Sequence, residues 1–265
     1  MSAYEVYALR YAHHERRAGE NFLGGDPHDG PMPMDYFVWL VRDATRTFVV
    51  DTGFNAETAK RRGRELLRCP AAGLKLLGVD ASDVRDVIVT HLHYDHVGNF
   101  DLFPAARFHL QDKEMYFATG RHMSEPAQSG AYDVENVVGM VREIYRGRVR
   151  FHDGDAEIAP GLSVHHIGGH TLGLQAVRVQ TARGFVVLAS DASHYYANMN
   201  EKRPFPIVYD VPEMVAGWAR VRALASSDGH VIPGHDPEVM RRFPPASAEL
   251  AGIAVRLDRE PLPAA

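Results

Sequence analysis

The chain has 265 residues, of which 45% are hydrophobic and 24% are charged, a composition typical of a soluble globular protein with a substantial core. Its 29 lysines and arginines against 34 aspartates and glutamates give a net charge of −5, which disfavours a nucleic-acid or anionic-membrane surface because both need clustered positive charge. The single cysteine excludes an intramolecular disulfide and a cysteine-rich zinc site. With no secretory signal and no apolar run of membrane-spanning length, we expect a cytoplasmic protein.

Apolar runs rich in β-branched residues recur along the chain and predict strands. In chain order they are Tyr4–Leu9, Tyr36–Val41, Thr47–Val50, Asp86–Thr90, Arg107–Leu110, Val149–Phe151, Leu162–Ile167, Leu174–Gln180 and Gly184–Ala189. Amphipathic spacing between them predicts helices over Asn55–Leu67, Lys113–Thr119, Asp133–Tyr145 and Pro212–Leu224. No repeat or linker divides the sequence, so this pattern indicates one α/β domain covering residues 1–265.

The segments between these elements carry weaker predictions. Gly24–Met34 and Arg121–Ala131 are turn-rich and are interpreted as surface loops, although the first could lie over a cleft. The aromatic residues of the second predicted strand could line a substrate pocket, but alternating aromatics favour a core position. The tail after Phe243 is rich in proline and alanine and predicts a short helix or a loose end.

Metal-ligand residue types are concentrated where the strand predicted over Asp86–Thr90 ends, in the run His91-Leu-His93-Tyr-Asp95-His96. Alternate residues of an extended segment point the same way, so His91 and His93 can face one metal. A turn directly afterwards would bring Asp95 and His96 towards a second metal. A polar loop that is rich in histidine by chance is the weaker interpretation, because such a run gains nothing from the core.

Further candidate ligands follow later strands singly. His170 lies in a Gly-Gly-His-Thr turn, Asp191 ends the apolar run before it, and His235 follows a Pro-Gly turn. A carboxylate with two oxygens can bridge two cations, which suits Asp191. Taken alone, each residue is ambiguous, because a single histidine after a strand more often has a hydrogen-bonded structural role than a ligand role.

Taken together, these residues resemble the metallo-β-lactamase superfamily, whose pattern HxHxDH, His, Asp, His is matched at every position. The resemblance implies a four-layer αββα sandwich with the metals at one edge between the sheets. It also implies that His91, His93 and His170 hold one metal, that Asp95, His96 and His235 hold the other, and that Asp191 bridges them. Asp51, in Asp-Thr-Gly after a predicted strand, corresponds to an aspartate that supports the metal loops, with turn capping as the alternative.

Imidazole-rich sites without thiolate favour two zinc ions per chain, with cobalt, manganese or iron as alternatives. Two such cations can activate a bridging hydroxide that attacks a carbonyl carbon. Asp95, beside that water, could accept its proton and return it to the leaving group. The expected activity is therefore metal-dependent hydrolysis.

Within the superfamily the chain is similar to the quorum-quenching N-acyl-homoserine lactonase and pyridoxolactonase group, which implies a lactone substrate and a possible homodimer. Where that group often has a tyrosine that contacts the lactone, this chain has His194, followed by Tyr195. We expect His194 or Tyr195 to contact the substrate, with a surface turn as the alternative. Hydrolysis of a thioester or of another cyclic ester or amide remains open, as does a non-catalytic, metal-stabilised binding module.

Overall fold

The computed structural model describes residues 3–263. Its strands are β1 (Glu5–His14), β2 (Met34–Arg42), β3 (Thr47–Val50), β4 (Glu65–Leu66), β5 (Asp86–Ile88), β6 (Arg107–Gln111), β7 (Val149–His152), β8 (Ala156–Ala159), β9 (Leu162–His166), β10 (Gln175–Thr181), β11 (Gly184–Ser190), β12 (Val231–Pro233) and β13 (Ala254–Arg256). Its α-helices are α1 (Ala18–Asn21), α2 (Ala56–Arg62), α3 (Pro70–Leu76), α4 (Tyr94–Val97), α5 (Asp112–Thr119), α6 (Pro126–Ser129), α7 (Val134–Tyr145), α8 (Tyr196–Asn200), α9 (Val211–Leu224) and α10 (Glu238–Arg242).

The strands form two sheets. The first has the order β13-β1-β2-β3-β5-β6-β7, with β4 paired to β1, and the second has the order β12-β11-β10-β9-β8. Strands β3, β5, β6 and β7 run parallel to one another, and β11 runs parallel to β12. The pairs β2–β3 and β10–β11 are antiparallel. Because parallel strands end at the same edge of a sheet, the loops after β3 and β5 meet at one edge, and those after β11 and β12 meet likewise.

The two sheets pack face to face over an apolar core, which the alternation along β2 illustrates. Phe37 and Trp39 point into the layer between the sheets, where they meet residues of the second sheet such as Val177 and Leu188. Tyr36 and the other alternate residues of β2 point to the opposite face, which is covered by helices. Of the aromatic residues predicted for either core or pocket, Phe37 and Trp39 thus belong to the core.

Helices cover the outer face of each sheet. On the second sheet, Met214, Trp218 and Val221 of α9 pack on Val187 and Ala189 of β11. On the first sheet, α3, α5 and α7 contribute buried residues to the helix-side core. The order of layers is helix, sheet, sheet, helix, which is the predicted αββα sandwich.

Several predicted boundaries are wrong. The helix predicted over Asn55–Leu67 ends at Arg62, because the backbone of Gly63 turns into the left-handed region at φ 64° and the chain continues into β4. The tail after Phe243 is neither a terminal helix nor loose: it forms β13, which pairs with β1 at the edge of the first sheet. The short strands β4, β8 and β13 and the short helices α1, α3, α4, α6, α8 and α10 were not predicted, because such short segments carry too little periodicity.

The segment Arg121–Ala131 also differs from a plain loop, since it contains a 3-10 turn and α6. Within residues 3–263, no helix combines the length and the apolar character that a membrane span requires.

Candidate metal centre

The residues of the sequence pattern converge at the edge of the molecule where the strands end. His91 and His93 follow β5, and the one-turn helix α4 then carries Asp95 and His96. The remaining members follow strands of the second sheet, namely His170 in the turn between β9 and β10, Asp191 after β11 and His235 after β12. All of these side chains are buried.

One group of donor atoms is formed by His91, His93, His170 and Asp191. The Nε2 atom of His170 lies 3.2 Å from Nε2 of His91 and 3.0 Å from Nδ1 of His93. Oδ2 of Asp191 lies 3.3 Å from the same atom of His170. Three ring nitrogens and a carboxylate oxygen around one small space are suited to a divalent cation such as zinc.

A second group of donor atoms is formed by Asp95, His96 and His235. Oδ2 of Asp95 lies 3.7 Å from Nε2 of His96 and 3.7 Å from Nε2 of His235. The other oxygen of Asp191, Oδ1, lies 3.4 Å from Nε2 of His96 and 3.0 Å from Nε2 of His235. The two oxygens of Asp191 therefore face different groups, as a carboxylate shared by two cations would.

Two buried atoms in this centre lack a hydrogen bond of suitable geometry within residues 3–263. Nε2 of His96 and Oδ1 of Asp191 are buried, and neither has a hydrogen-bond partner in the described chain. A buried polar atom without a partner is costly, and a cation between the two groups would satisfy both atoms. The residues present therefore fit a pair of cations.

The protonation states of the first group of donor atoms also fit a metal site. Burial lowers the pKa of His91 and of His93 well below the ordinary value and lowers the pKa of His170 to about 4, so these rings are neutral with a free lone pair. Burial alone would raise the pKa of Asp191, but the neighbouring rings of His235 and His96 hold it well below the ordinary value. Burial alone would lower the pKa of His96 and of His235, but the carboxylate of Asp191 raises the first well above and the second above the ordinary value. Metal binding requires neutral imidazoles, so a cation in the second group would take the place of these protons.

Acceptors outside the centre orient the ligand-type rings. Nδ1 of His170 donates to the carbonyl oxygen of Ile207 at 2.7 Å, and Nδ1 of His235 donates to that of Asp35 at 3.0 Å. In each ring the outer nitrogen is thereby protonated, which leaves the inner nitrogen as an acceptor.

Asp51 performs the same task for His96. Its Oδ2 accepts a hydrogen bond from Nδ1 of His96 at 2.7 Å, while Oδ1 accepts one from the backbone nitrogen of Thr90 at 2.7 Å. Asp51 is fully buried and has a positive φ of 60°, and Ser190, just before Asp191, has φ 47°. Left-handed backbone at non-glycine residues is uncommon, and here it occurs at two strand ends that lead into the centre.

Glu114, on α5, supports the centre and was not identified from the sequence. Its buried carboxylate accepts hydrogen bonds from the backbone nitrogen of Leu92 at 2.9 Å and from the hydroxyl of Thr171 at 2.6 Å. It also accepts from the hydroxyl of Tyr132 at 2.9 Å and from the backbone nitrogen of Gly173 at 3.2 Å. The sequence contained one signal for this role: Glu114 is an acidic residue within a predicted helix, close to Met115 and Phe117, which are buried.

The two residues predicted to contact substrate lie in different surroundings. Nε2 of His194 is 3.0 Å from Oδ2 of Asp191, and the ring stacks on Phe205 with 3.6 Å between centroids. His194 also lines the cavity over the centre. The hydroxyl of Tyr195 donates instead to the carbonyl oxygen of Pro33 at 3.2 Å, and its buried ring packs in the helix-side core.

A cavity of about 190 Å³ opens over the metal centre. Tyr36, His93, Asp95, His194 and His235 form part of its wall. The segment predicted as the second surface loop covers one side of the cavity, to which it contributes Ala127, Gly130 and Ala131. A small molecule can thus reach the donor atoms from solvent.

Comparisons with known proteins agree with this geometry. The family described as the metallo-beta-lactamase superfamily matches residues 32–255. Among curated proteins, the chain is 28% identical over 224 residues to the N-acyl homoserine lactonase AiiB of Agrobacterium fabrum, covering 76% of this chain and 79% of the relative. It is 26% identical over 226 residues to a probable metallo-hydrolase of Mycobacterium tuberculosis, covering 77% of this chain and 72% of that protein.

Solved structures share the fold at lower identity. A quorum-quenching N-acyl homoserine lactone lactonase superimposes with a TM-score of 0.75 at 21% identity, covering 90% of this chain and 94% of that one. The dizinc quorum-quenching lactonase AidC superimposes with a TM-score of 0.69 at 16% identity, covering 88% of each chain. With a family match over most of its length and the same layered fold, the chain belongs to the metallo-beta-lactamase superfamily.

Proposed function

We propose that the protein opens the ring of a lactone and that it uses two zinc ions to do so. The chain is a metal-dependent hydrolase, as its family and its relatives indicate. The observation that carries the finer proposal is the position of Asp191, whose two oxygens face separate groups of buried ligand atoms beside an open cavity. The curated relatives named as lactonases suggest the lactone, with N-acyl homoserine lactones as first candidates.

In this proposal two cations would be held by two sets of residues that share Asp191, namely His91, His93 and His170 in one set and Asp95, His96 and His235 in the other. When bound, such a pair of cations would supply a water molecule activated near neutral pH and a polarised carbonyl group. The chain supplies the orientation, because Asp51 and the carbonyl oxygens of Ile207 and Asp35 hold the outer ring nitrogens.

Asp95 is the proposed acid and base. Its carboxylate lies on the cavity wall between the rings of His96 and His235, where it can accept a proton from water and return it to the leaving oxygen. The hydroxyl of Tyr11 donates to the backbone carbonyl of Asp95 at 2.9 Å and so fixes the short helix that carries it. His194, which lines the cavity and lies 3.0 Å from Oδ2 of Asp191 through its Nε2 atom, is the residue proposed to contact the substrate.

The test combines metal analysis with a substrate panel. Purified protein should bind about two metal ions per chain, and the loaded protein should release acid from simple lactones, measured by pH-stat titration. Turnover of thioesters without turnover of lactones would replace the lactone proposal by that alternative. Bound metal without turnover of any ester would make the protein a binding module. The cytoplasmic location and a homodimeric state stay predictions.

A further inference from the structure

Three arginines, Arg16, Arg62 and Arg64, line the cavity over the metal centre. None of them forms an ion pair with a carboxylate anywhere in residues 3–263. Their sequence neighbours behave differently, since Arg17 pairs with Asp29 and Arg61 pairs with Asp133. The three arginines that face the cavity therefore have no carboxylate partner within residues 3–263, as is also true of some arginines elsewhere, such as Arg68 and Arg178, which donate to backbone carbonyl oxygens.

The contacts of Arg62 and Arg64 are with neutral groups. Arg62 donates to the carbonyl oxygens of Gly130 at 3.0 Å and Tyr132 at 3.1 Å, and its guanidinium lies 3.9 Å from the ring centroid of Tyr94. Arg64 donates to the hydroxyl of Tyr94 at 3.2 Å and to the carbonyl oxygen of Arg62 at 2.7 Å. These contacts hold both guanidinium groups in place without neutralising them.

Arg16 approaches the cavity from the segment that precedes α1. It donates to the carbonyl oxygen of Glu20 at 2.7 Å, and that partner is also neutral. The Nε atoms of Arg16 and Arg62 are buried and have no hydrogen-bond partner within the described chain. A guanidinium group without a counter-charge is costly to hold in place, so an anion in the cavity that accepts hydrogen bonds from these groups would bind with a gain in free energy.

The balance of charge in the cavity is positive, although the whole chain has a net charge of −5. The acidic residue on the cavity wall is Asp95, which belongs to the proposed metal ligands. Bound cations would add to the positive charge. A neutral acyl lactone would leave all three guanidinium groups without a counter-charge.

We infer that the substrate is a small lactone that carries a carboxylate group apart from the ester bond that is cleaved, and that Arg16, Arg62 and Arg64 bind this carboxylate. A planar guanidinium matches the two oxygens of a carboxylate, and a cavity of about 190 Å³ suits a ring with a short substituent. This inference rests on the proposed lactone hydrolysis and narrows its substrate class.

A matched pair of substrates tests the inference. Metal-loaded enzyme is assayed with γ-carboxy-γ-butyrolactone and with its primary carboxamide, which has nearly the same shape and no charge. We expect kcat/KM to be about tenfold or more higher for the carboxylate, chiefly through a lower KM. Added salt should reduce this advantage and leave the amide unaffected. Equal rates for both lactones would overturn the inference.

Substitutions in α2 test whether Arg62 produces the preference for the carboxylate substrate. Arg62→Gln should raise KM for the carboxylate about tenfold and leave KM for the amide within about twofold, whereas Arg62→Lys should keep part of the preference. The matched control is Arg61→Gln, one position earlier, which should keep the full preference. If Arg62→Gln slows both substrates equally, Arg62 has a structural role and the inference is wrong for it.

A binding measurement separates this inference from the proposed function. The ring-opened dicarboxylate, 2-hydroxyglutarate, and its monoamide at the carboxylate that the ring carried are titrated calorimetrically into the metal-loaded protein. If the dicarboxylate binds more tightly than the monoamide, and Arg62→Gln weakens that binding, the anion site is supported. This conclusion holds even if neither lactone is opened, an outcome that would reject only the lactone proposal. If both compounds bind equally and both lactones are opened at equal rates, the lactone proposal stands and the inference of a substrate carboxylate is rejected.

Discussion

Glu114 illustrates how much of the centre depends on side chains that cannot touch a metal. Its carboxylate accepts from Leu92, inside the histidine motif, and from Thr171 and Gly173, which follow His170. The loops therefore share one buried anion, whose two oxygens are fully used. Burial raises the pKa of Glu114, and the surrounding donors, led by the hydroxyl of Thr171, oppose that shift.

Replacing this acceptor should loosen both loops. In Glu114→Gln an amide nitrogen must face donors, so we expect the free energy of unfolding to fall by about 3 kcal/mol, together with weaker metal binding. Denaturant unfolding of the metal-free protein and metal analysis measure the two effects. The control is Asp112→Asn, the same chemical change at an exposed site on α5, which should cost less than about 0.5 kcal/mol. Similar losses in both variants would contradict the supporting role.

Two histidines of the centre should respond differently to truncation. His93→Ala removes a proposed ligand and should lower metal content and hydrolysis together. His194→Ala should keep the metal content, because His194 is not one of the proposed ligands. It should raise KM about tenfold, because the ring of His194 lines the cavity beside Asp191. Metal analysis and steady-state kinetics on one preparation separate these outcomes. Full metal loading with full activity in His93→Ala would refute the ligand assignment.

Among the elements, the tight turns after the strands decide where the ligands point. Gly169, just before His170, has φ 80°, and a Cβ atom there would lie 2.4 Å from the backbone nitrogen of Met214. The N-terminus of α9 packs this closely because the turn offers no side chain. The turn is thereby held between α9 and the second sheet, and the ring of His170 with it.

The substitution Gly169→Ala tests this packing. Positive φ costs an alanine about 1–2 kcal/mol, and the clash with α9 should add about 1–3 kcal/mol and displace His170. Gly147→Ala is the matched control, since Gly147 has φ 71° and open space around its Cβ position, so it should show the backbone cost alone. Thermal unfolding and metal content provide the comparison. Equal effects of both substitutions would show that the contact with α9 does not matter.

For the whole molecule, the buried ligand set makes stability depend on metal. Without cations, the chain must bury ring nitrogens and carboxylates whose partners are missing, such as Nε2 of His96. Free metal at about a hundred times its Kd should add about 2.7 kcal/mol per site, or roughly 5 °C or more in Tm. Calorimetry before and after chelation, with zinc added back, measures the change. An unchanged Tm would argue against a folded-state metal centre.

Acid should destabilise the fold through His152, which contacts His109 outside the candidate metal centre. Burial, with His109 and Arg150 nearby, lowers the pKa of His152 from an ordinary 6.5 to about 4. Between these values the unfolded chain binds a proton that the folded chain does not, so stability falls as the pH falls. In His152→Asn the loss of Tm from about pH 7 to about pH 5 should be smaller than in the wild type. An equal loss in both proteins would show that His152 does not contribute.

The sequence by itself determined the chemistry and the fold class. The histidines and aspartates at the strand ends match the ligand pattern of a known superfamily, which implies both the chemistry and the fold. Local geometry adds that His91 and His93 point the same way, because they alternate on an extended segment. The alternation of β2 likewise predicted the core position of Phe37 and Trp39, although its partner sheet was unknown.

Only the tertiary structure decided which atoms meet. The two-sided position of Asp191, the shared carboxylate of Glu114 and the cluster of Arg16, Arg62 and Arg64 bring together residues far apart in the chain. No local periodicity encodes such contacts, since they depend on how the two sheets and their helices pack. Neighbouring residues likewise could not predict strand β13, which is positioned by pairing with β1. Nor could they predict the position of the Tyr195 hydroxyl, which donates to the carbonyl oxygen of Pro33.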